Sequence, residues 1–383
     1  MKDLSTAVDR LVPDGLAFLE RMVGLESPSY DADRVNALGQ YVAEAFEQLG
    51  GTVERHTEPD RGDHLLIRFD ALSEGAGRPP IMLLGHLDTV WPAGTIADRP
   101  FTIDGDTATG PGIFDMKAGV AMMWMALSAF RSVRGGPPAP VQVLLTSNEE
   151  VGSGNVRELV PQLAATAGAV LVLEPSLPDG VLKTARNGMG RFTVRAIGKA
   201  THSGVNPADG VNAVEEIAHQ VLRLGEIQDL EKGTTVTVTM VQGGTRPNVV
   251  PAECHVQTDC RVPTLDEADR VTRAIQGLLP VLKGARIEVE GEFRRPPLEA
   301  NAANMRLFEM ARRVGGECGI RVEGGSTGGA SDGNLTSAAG IPTLDGLGPV
   351  GLGAHQIDEQ IQVSSLGPRT TLVAGLIDRI AAG

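Results

Sequence analysis

The stretch "IMLLGHLDTVW" (81–91) sets four apolar residues directly before a glycine, a histidine and, two residues on, an aspartate. Consecutive apolar residues without alternation are typical of a strand that is buried on both faces, as in a parallel sheet. Residues two apart in a strand share a face, so His86 and Asp88 should point the same way. A histidine–aspartate pair is unusual in a buried core strand. The pair therefore indicates a functional site where the strand ends.

Length and composition limit the classes of protein to which this chain can belong. The chain has 383 residues, more than one hydrophobic core usually organises, so two domains are expected. A net charge of −14 argues against nucleic acid and anionic membranes as partners. The amphipathic N-terminus lacks the apolar stretch of a signal peptide, and no run is long enough to span a bilayer. Three cysteines cannot form a disulfide framework, so we expect a reduced, cytoplasmic protein.

Apolar runs alternate with helix-like segments in the first half of the chain. The predicted strands are "HLLIRFD" (64–70), "PIMLLGH" (80–86), "PVQVLLTSN" (140–148) and "GAVLVLE" (168–174). A long helical pattern, "MKAGVAMMWMALSAFRSV" (116–133), separates the second strand from the third. This order predicts an α/β domain whose mostly parallel sheet is covered on both faces.

The pattern changes near residue 190. Half-buried strands and helices then follow in the order β-α-β-β-α-β, which is the ferredoxin-like arrangement. The strands are predicted at 191–198, 234–242, 252–262 and 285–292, and the helices at 211–224 and 266–282. Segments 304–314 and 341–347 return to the α/β style, which makes the ferredoxin-like unit an insertion. The predicted domains are 1–187 with 297–383, and 188–296.

Histidines and carboxylates follow several of the predicted core strands. Ligand sites in open α/β sheets lie outside the carboxyl ends of the strands, so these residues should meet at one edge. They are His86, Asp88, Asp115, Glu149, Glu150, Glu174 and His355. Each has a simpler alternative: a helix cap for Asp115, a helix start for the paired glutamates, a surface loop for His355. Their convergence at one edge favours a shared function.

Two zinc ions would account for these residue types. Zinc binds imidazole and carboxylate, and a catalytic site keeps one position for water. Asp115, Glu150 and Glu174 bring three negative charges, which two zinc ions and a bridging hydroxide would balance. Cobalt or manganese could occupy the same ligands. A ligating histidine usually donates its other N–H to a carboxylate, and Asp88 is placed to accept it from His86.

The motifs "GHLDTV", "GPGIFDMKAG", "TSNEEVGS", "VLEP", "ATHSG" and "GAHQ" resemble those of the co-catalytic zinc amidohydrolases. This is the family of acetylornithine deacetylase, succinyl-diaminopimelate desuccinylase and aminoacylase, and the resemblance is closest to bacterial glutamate carboxypeptidase of the folate-hydrolysing type. It covers nearly the whole chain. It implies a di-zinc catalytic domain with an inserted lid through which two subunits form a homodimer.

The resemblance implies two metal positions that share one carboxylate. His86 and Glu174 would bind one zinc ion, whereas Glu150 and His355 would bind the other. Asp115 would bridge the two ions, and the peptide bond after this residue is often cis in the family.

The resemblance also implies catalytic and substrate-binding residues. Glu149 would be the general base that acts on a zinc-bridged water, with Asp88 in support. His202 of the lid would stabilise the oxyanion, in its own or the partner's active site; from the sequence alone it could be an ordinary loop histidine. The implied substrate contacts are Asn248, Arg261 and Arg295. Arg261 lies on the polar face of its strand, where a solvated salt bridge is the alternative role.

These features predict a metallo-carboxypeptidase that hydrolyses the amide between an acyl or peptidyl group and a C-terminal amino acid. An aminoacylase or N-acyl-amino-acid deacylase would use the same metal chemistry with a different pocket. The glycine-rich "GGSTGGASDG" (324–333) and "GDTATGPG" (105–112) suggest a nucleotide-dependent oxidoreductase or a phosphate binder as an alternative, but neither forms G-x-G-x-x-G between a strand and a helix. An inactive dimeric binding protein is a third alternative. Substrate preference is open, because Arg186 and Ser326 lie in segments that depart from the folate-hydrolysing pattern.

Overall fold

The computed structural model describes residues 1–58, 60–72, 75–152 and 155–383. The chain forms two compact units. The first comprises Met1–Thr184, Ala300–Thr327 and Ser331–Gly383, and the second comprises Ala185–Glu299 with Gly328–Ala330. The second unit is therefore inserted into the sequence of the first. The sequence pattern predicts the two domain boundaries at 187/188 and 296/297.

Helices and strands alternate along most of the chain. The helices are α1 Lys2–Gly24, α2 Ala32–Gln48, α3 Thr95–Asp98, α4 Ala118–Arg134, α5 Val156–Ala164, α6 Ala213–Ile227, α7 Leu265–Gln276, α8 Ala302–Glu317, α9 Gly333–Ala338 and α10 Leu366–Ala382. The strands are β1 Thr52–His56, β2 His64–Phe69, β3 Ile81–His86, β4 Thr102–Asp104, β5 Thr107–Thr109, β6 Val141–Thr146, β7 Ala169–Val172, β8 Leu182–Arg186, β9 Gly188–Ile197, β10 Thr235–Gly243, β11 Glu253–Val262, β12 Arg286–Arg295, β13 Gly324–Thr327, β14 Thr343–Leu344, β15 Gly351–Leu352 and β16 Gln360–Gln362.

The first unit is built on a sheet with the strand order β1-β2-β6-β3-β7-β14. β3 pairs in parallel with β6 and β7, and β7 pairs in parallel with β14, whereas β2 pairs antiparallel with β1 and β6. Every residue of β3 is buried, as expected for a central strand covered on both faces. The predicted α/β fold with a mostly parallel sheet is confirmed.

Helix α4 forms the centre of the first unit and packs on α1 and α10. Twelve of its 17 residues are buried, which explains why its sequence is apolar nearly all round. The segment Ile113–Arg134 is long and apolar enough to cross a membrane by length and composition, but 89% of its most apolar window is buried inside the fold. A Cβ at Gly119 would lie 2.1 Å from the carbonyl oxygen of Leu173. Glycine therefore lets the start of α4 approach the strand end that carries Glu174.

The second unit is an antiparallel sheet with the order β10-β11-β9-β12, on which α6 and α7 pack. Its chain order, β9-α6-β10-β11-α7-β12, is the predicted ferredoxin-like arrangement. Strand β11 alternates between buried and more exposed residues, with Cys254, Val256 and Cys260 in the hydrophobic core. The two cysteines are therefore small core residues.

Helix α7 is shorter than its sequence pattern predicts. The helix ends at Gln276, whereas the apolar pattern continues to residue 282. Gly277 follows the last helical residue, and Pro280 has no N–H to donate to a further turn. The backbone N–H groups of Val281 and Leu282 donate instead to the buried carboxylate of Glu216. The leucines and valine beyond Gly277 therefore mimic a helical periodicity that the backbone does not follow.

Candidate metal centre

The five predicted metal ligands come from loops at the carboxyl ends of the strands or beside them. His86 ends β3, Glu150 follows β6, Glu174 follows β7, Asp115 lies between β5 and α4, and His355 lies between β15 and β16. Parallel strands β6, β3 and β7 are neighbours, so their carboxyl ends lie side by side at one edge of the sheet. Ligand atoms of His86, Asp115 and Glu150 all lie within 4.8 Å of one another.

Asp115 stands between the two histidines. Its Oδ1 lies 3.2 Å from Nε2 of His86, and its Oδ2 lies 3.3 Å from Nε2 of His355. Beyond the first histidine, Oε1 of Glu174 lies 3.4 Å from the same Nε2 of His86. Beyond the second, Oε2 of Glu150 lies 3.0 Å from Nε2 of His355. Each oxygen of Asp115 thus faces a different histidine–glutamate pair, which is the arrangement a bridging carboxylate needs.

These spacings are compatible with small cations bound between the ligand atoms. Zinc–ligand bonds of about 2.0–2.2 Å in a tetrahedron separate neighbouring ligand atoms by roughly 3.3–3.6 Å. Charge-assisted N–H···O bonds are about 2.7–2.9 Å long, whereas the four contacts here are 3.0–3.4 Å. In addition, Oε1 of Glu150 is buried with no hydrogen-bond partner in the described part of the chain. The residues present therefore fit a pair of divalent cations.

The pKa values at the site show how strongly it attracts positive charge. The carboxylates of Asp115 and Glu150 raise the pKa of His355 to about 10. Burial acts to lower the pKa of His86, but hydrogen bonds to carboxylates, Asp115 first among them, raise it well above its ordinary value. Burial raises the pKa of Glu150 to about 7. In the metal-free protein, protons on the two imidazoles supply positive charge that divalent cations would otherwise supply.

Two ligand residues have unusual backbone conformations. The peptide bond between Asp115 and Met116 is cis, as the resemblance implies. His355 has a φ of 63°, in the left-handed region, which costs a non-glycine residue roughly 1–2 kcal/mol. A left-handed conformation at a residue other than glycine persists where the surrounding structure holds it, and it is typical of functional sites.

Asp88 supports His86 through its main chain rather than mainly through its carboxylate. Nδ1 of His86 lies 2.9 Å from the backbone carbonyl oxygen of Asp88 and 3.5 Å from the carboxylate Oδ1. The carboxylate accepts the backbone N–H groups of Glu149 at 3.0 Å and Glu150 at 3.2 Å, and the Ser29 hydroxyl at 2.7 Å. Because β3 ends at His86, strand alternation no longer governs where Asp88 points. Nδ1 donates to the carbonyl, which leaves Nε2 available to a metal.

Glu359 is a site residue that the sequence pattern does not indicate. This buried carboxylate accepts the backbone N–H groups of Gly112, Phe114 and Asp115 and the indole N–H of Trp91. Its partners lie 244 to 268 residues away in the sequence. Local sequence patterns give no information on contacts over such separations. An acidic residue in a polar loop does not by itself indicate a functional site.

His202 and Asn248 belong to the second unit, where both residues are exposed. The structure brings their loops together, since the N–H of Ser203 donates to the carbonyl oxygen of Asn248 at 3.1 Å and His202 forms a bridge to Val249. Nδ1 of His202 accepts the N–H of Gly204 at 3.1 Å. The roles predicted for His202 and Asn248 remain predictions.

The arginines of the second unit contact its own loops. Arg261 forms a bidentate ion pair with Asp259, with N···O distances of 2.7 and 3.2 Å, and donates to a carbonyl in segment 328–330. Arg186 is buried and donates to the same segment at 3.2 Å. Arg295 is 5% exposed. The salt bridge that the sequence allows for Arg261 is thus present, and substrate contact by Arg261 and Arg295 stays a prediction.

Metal binding should displace protons from His355 and His86, because the raised pKa values keep both imidazoles protonated near neutral pH. The affinity for zinc should therefore rise with pH up to about 10, where His355 loses its proton without metal. In the metal-free protein, the stability contributed by charged His355 should be fully present below its unfolded pKa of about 6.5 and lost as the pH passes about 10. Calorimetric titrations in buffers of different ionisation enthalpy would measure the protons released.

Two variants sharpen this measurement. His355→Asn should release fewer protons than the wild type, whereas His219→Asn, on α6 of the second unit, should match it. A zinc affinity that does not change between about pH 6 and about pH 9 would contradict the electrostatic description of the site.

The chain is similar in sequence and in fold to several known proteins. Carboxypeptidase G2 of Pseudomonas sp. (strain RS-16) is 30% identical over 381 residues, which cover 97% of this chain and 90% of that protein. Succinyl-diaminopimelate desuccinylase of Rhodospirillum centenum (strain ATCC 51521 / SW) is 28% identical over 401 residues, covering 97% and 99%. The YXEP protein of Bacillus subtilis, described as a dinuclear metal binding peptidase from the M20 family, superposes with a TM-score of 0.72 at 14% identity, covering 98% and 99%. At that identity the superposition shows the fold alone.

The model of peptidase family M20/M25/M40 matches residues 82–379, which is most of the chain and includes every residue at the candidate metal centre. The matched range begins and ends in the first unit and encloses the second in sequence. Together with the relative that is 30% identical over nearly its whole length, it establishes that the chain is a hydrolase of peptidase family M20/M25/M40.

Proposed function

We propose that this protein is a two-zinc carboxypeptidase, which hydrolyses the amide bond between an acyl or peptidyl group and a C-terminal amino acid. The observation that carries the proposal is the position of Asp115 between His86 and His355, each with a glutamate beyond it. The relative named carboxypeptidase G2 supports the reaction class. Imidazole and carboxylate ligands at these spacings suit zinc, with cobalt or manganese as substitutes.

The proposed ligands form two sets that share Asp115. One set is His86, Asp115 and Glu174, and the other is His355, Asp115 and Glu150. A pair of divalent cations held by these residues would make a bound water more acidic and would polarise the scissile carbonyl group. The chain supplies the orientation: Asp88 fixes the His86 ring through its carbonyl oxygen and fixes the backbone of Glu149 and Glu150 through its carboxylate.

Glu149 is the proposed general base. Its backbone is held on Asp88, one residue before the ligand Glu150. As the water oxygen bonds to the carbonyl carbon, its proton passes to the Glu149 carboxylate. Glu149 then delivers the proton to the amide nitrogen as the C–N bond breaks, which leaves a carboxylic acid and a free amino acid. No oxidant or further reactant is needed.

The second unit supplies the proposed substrate contacts. His202 and Asn248 are exposed and lie on adjoining loops, so both can donate to the carbonyl oxygen that gains negative charge during attack. Arg261 already holds a carboxylate, that of Asp259, in bidentate fashion. A guanidinium in this geometry suits the α-carboxylate of a C-terminal amino acid, and Arg295 is the second arginine proposed for this role.

The reaction class can be tested with a panel of acylated amino acids. The zinc-loaded protein should hydrolyse both N-acyl and peptidyl substrates that end in a free α-carboxylate, and their C-terminal amides should be at least about tenfold poorer substrates. Turnover restricted to small acyl groups would favour an aminoacylase instead. Absence of hydrolysis across acidic and apolar leaving groups, with both metals bound, would contradict the proposal.

Glu149→Gln should retain both metal ions but lose roughly 10²- to 10⁴-fold in kcat, because the side chain can no longer accept the proton. The control is Glu158→Gln, an exposed glutamate in the first turn of α5 that should leave kcat unchanged. Metal content measured beside turnover separates loss of the base from loss of a ligand. A Glu149→Gln enzyme with near-normal kcat would remove this residue from the mechanism.

We also propose that the protein is a homodimer formed through the second unit. Leu222 on α6 is 70% exposed and Val241 on β10 is 64% exposed. Val241 pairs with buried Val256, so its side chain points to the face of the sheet that carries the core. β10 is an edge strand of its sheet, with one side open to pairing. An apolar helix face beside an open strand edge is a suitable surface for a second copy.

Mixing two inactive variants would show whether His202 acts in the partner's active site. If it does, a dimer of one His202→Ala subunit and one Glu149→Gln subunit has one complete site, and random mixing should restore about a quarter of wild-type activity. Mixing Glu149→Gln with Asp115→Ala should restore none, because each subunit then lacks a residue of its own site. No recovery in the first mixture, at a measured dimeric mass, would contradict action across the dimer.

A further inference from the structure

Glu359 joins two of the segments that carry proposed metal ligands of the first unit, those of Asp115 and His355. It lies four residues after His355, and its carboxylate contacts the turn that ends at Asp115. We propose that Glu359 is a positioning residue, which holds the His355 loop and the Asp115 turn in the relative placement that two metal ions require. The proposal rests on the proposed two-metal site, because it concerns the geometry of that site's ligands.

The carboxylate of Glu359 is saturated with N–H donors. Oε1 accepts the backbone N–H groups of Phe114 at 2.9 Å and Asp115 at 3.0 Å. Oε2 accepts the backbone N–H of Gly112 at 2.9 Å and the indole Nε1–H of Trp91 at 2.6 Å. The residue is fully buried. A buried carboxylate with four donors fixes the backbone on both sides of Phe114, including that of the proposed bridging ligand.

The His355 loop is packed so that its own backbone fixes Glu359. The N–H of Gln356 donates to Gly353 at 2.8 Å, and the N–H of Glu359 donates to Gln356 at 3.1 Å. Gly353 has a φ of 80°, and a Cβ there would lie 2.9 Å from both the N and Cα atoms of Glu359. These two turns leave little freedom between His355 and Glu359. A displacement of the carboxylate should therefore be transmitted to the imidazole.

The chemistry of the contacts requires a carboxylate and not an amide. All four partners are donors, and each oxygen accepts two of them. Glu359→Gln would place an NH₂ group against two N–H groups in either orientation of the amide. This variant keeps the size of the side chain and breaks half of the contacts. The prediction is therefore specific to the hydrogen bonds and not to the volume of the residue.

The test is titration of the metal-free protein with Co²⁺, followed by visible absorption and calorimetry. Wild-type protein should bind two equivalents. Glu359→Gln should bind the second ion about 10- to 100-fold more weakly, and the absorption spectrum of the bound Co²⁺ should change because the ligand geometry relaxes. The matched control is Glu216→Gln. Glu216 is also a fully buried carboxylate that accepts backbone N–H groups, those of Val281 and Leu282, but it lies in the second unit.

The outcomes separate this proposal from the proposed function. Wild-type affinities and spectrum in Glu359→Gln would overturn the positioning role, as would an equal loss in Glu216→Gln, because the effect would then be general destabilisation. If Glu359→Gln does not fold, the Trp91→Phe variant tests the positioning role instead, because it removes one donor and keeps the carboxylate. Weaker binding of the second ion by this variant would support the role, and unchanged binding would overturn it. Failure of the wild-type protein to bind two ions would instead refute the proposed function.

Discussion

The fold concentrates carboxylates at one edge of a buried sheet, and this charge must be compensated. Asp115, Glu150 and Glu174 lie around two imidazoles, with contacts of 3.0–3.4 Å. Burying an ionised carboxylate is costly unless a charge or a hydrogen bond accompanies it. In the metal-free protein, the need to compensate the carboxylate charge raises the pKa values of both histidines and of Glu150. A pair of divalent cations satisfies the same constraint without protons on the ligands.

The surrounding structure holds the ligands through backbone contacts more than through contacts to the ligand side chains. Asp88 accepts the N–H groups of Glu149 and Glu150, and Glu359 accepts that of Asp115. Neither Asp88 nor Glu359 is one of the three carboxylates that face the histidine Nε2 atoms. The loops gain their placement from buried acceptors, while the oxygens of the proposed ligands face the histidine Nε2 atoms. This division gives a structural role to the two acids that do not face an imidazole.

The sequence pattern could group the proposed ligands because three of them follow strands that can be recognised locally. His86, Glu150 and Glu174 come directly after apolar strands, and parallel strands place their carboxyl ends at one edge. The contacts of Asp88 and Glu359 could not be predicted, because they depend on where backbone N–H groups point after a strand has ended. The predicted end of α7 was wrong for a related reason. The apolar periodicity continues past Gly277, but the backbone N–H groups of Val281 and Leu282 donate to Glu216 instead of continuing the helix.

Anomalous diffraction at the zinc absorption edge, from crystals of the zinc-loaded protein, tests the central claim most directly. Two anomalous peaks should appear on either side of Asp115, one bounded by His86 and Glu174 and the other by His355 and Glu150. A single peak, or peaks that do not contact Asp115, would contradict a carboxylate shared between two cations.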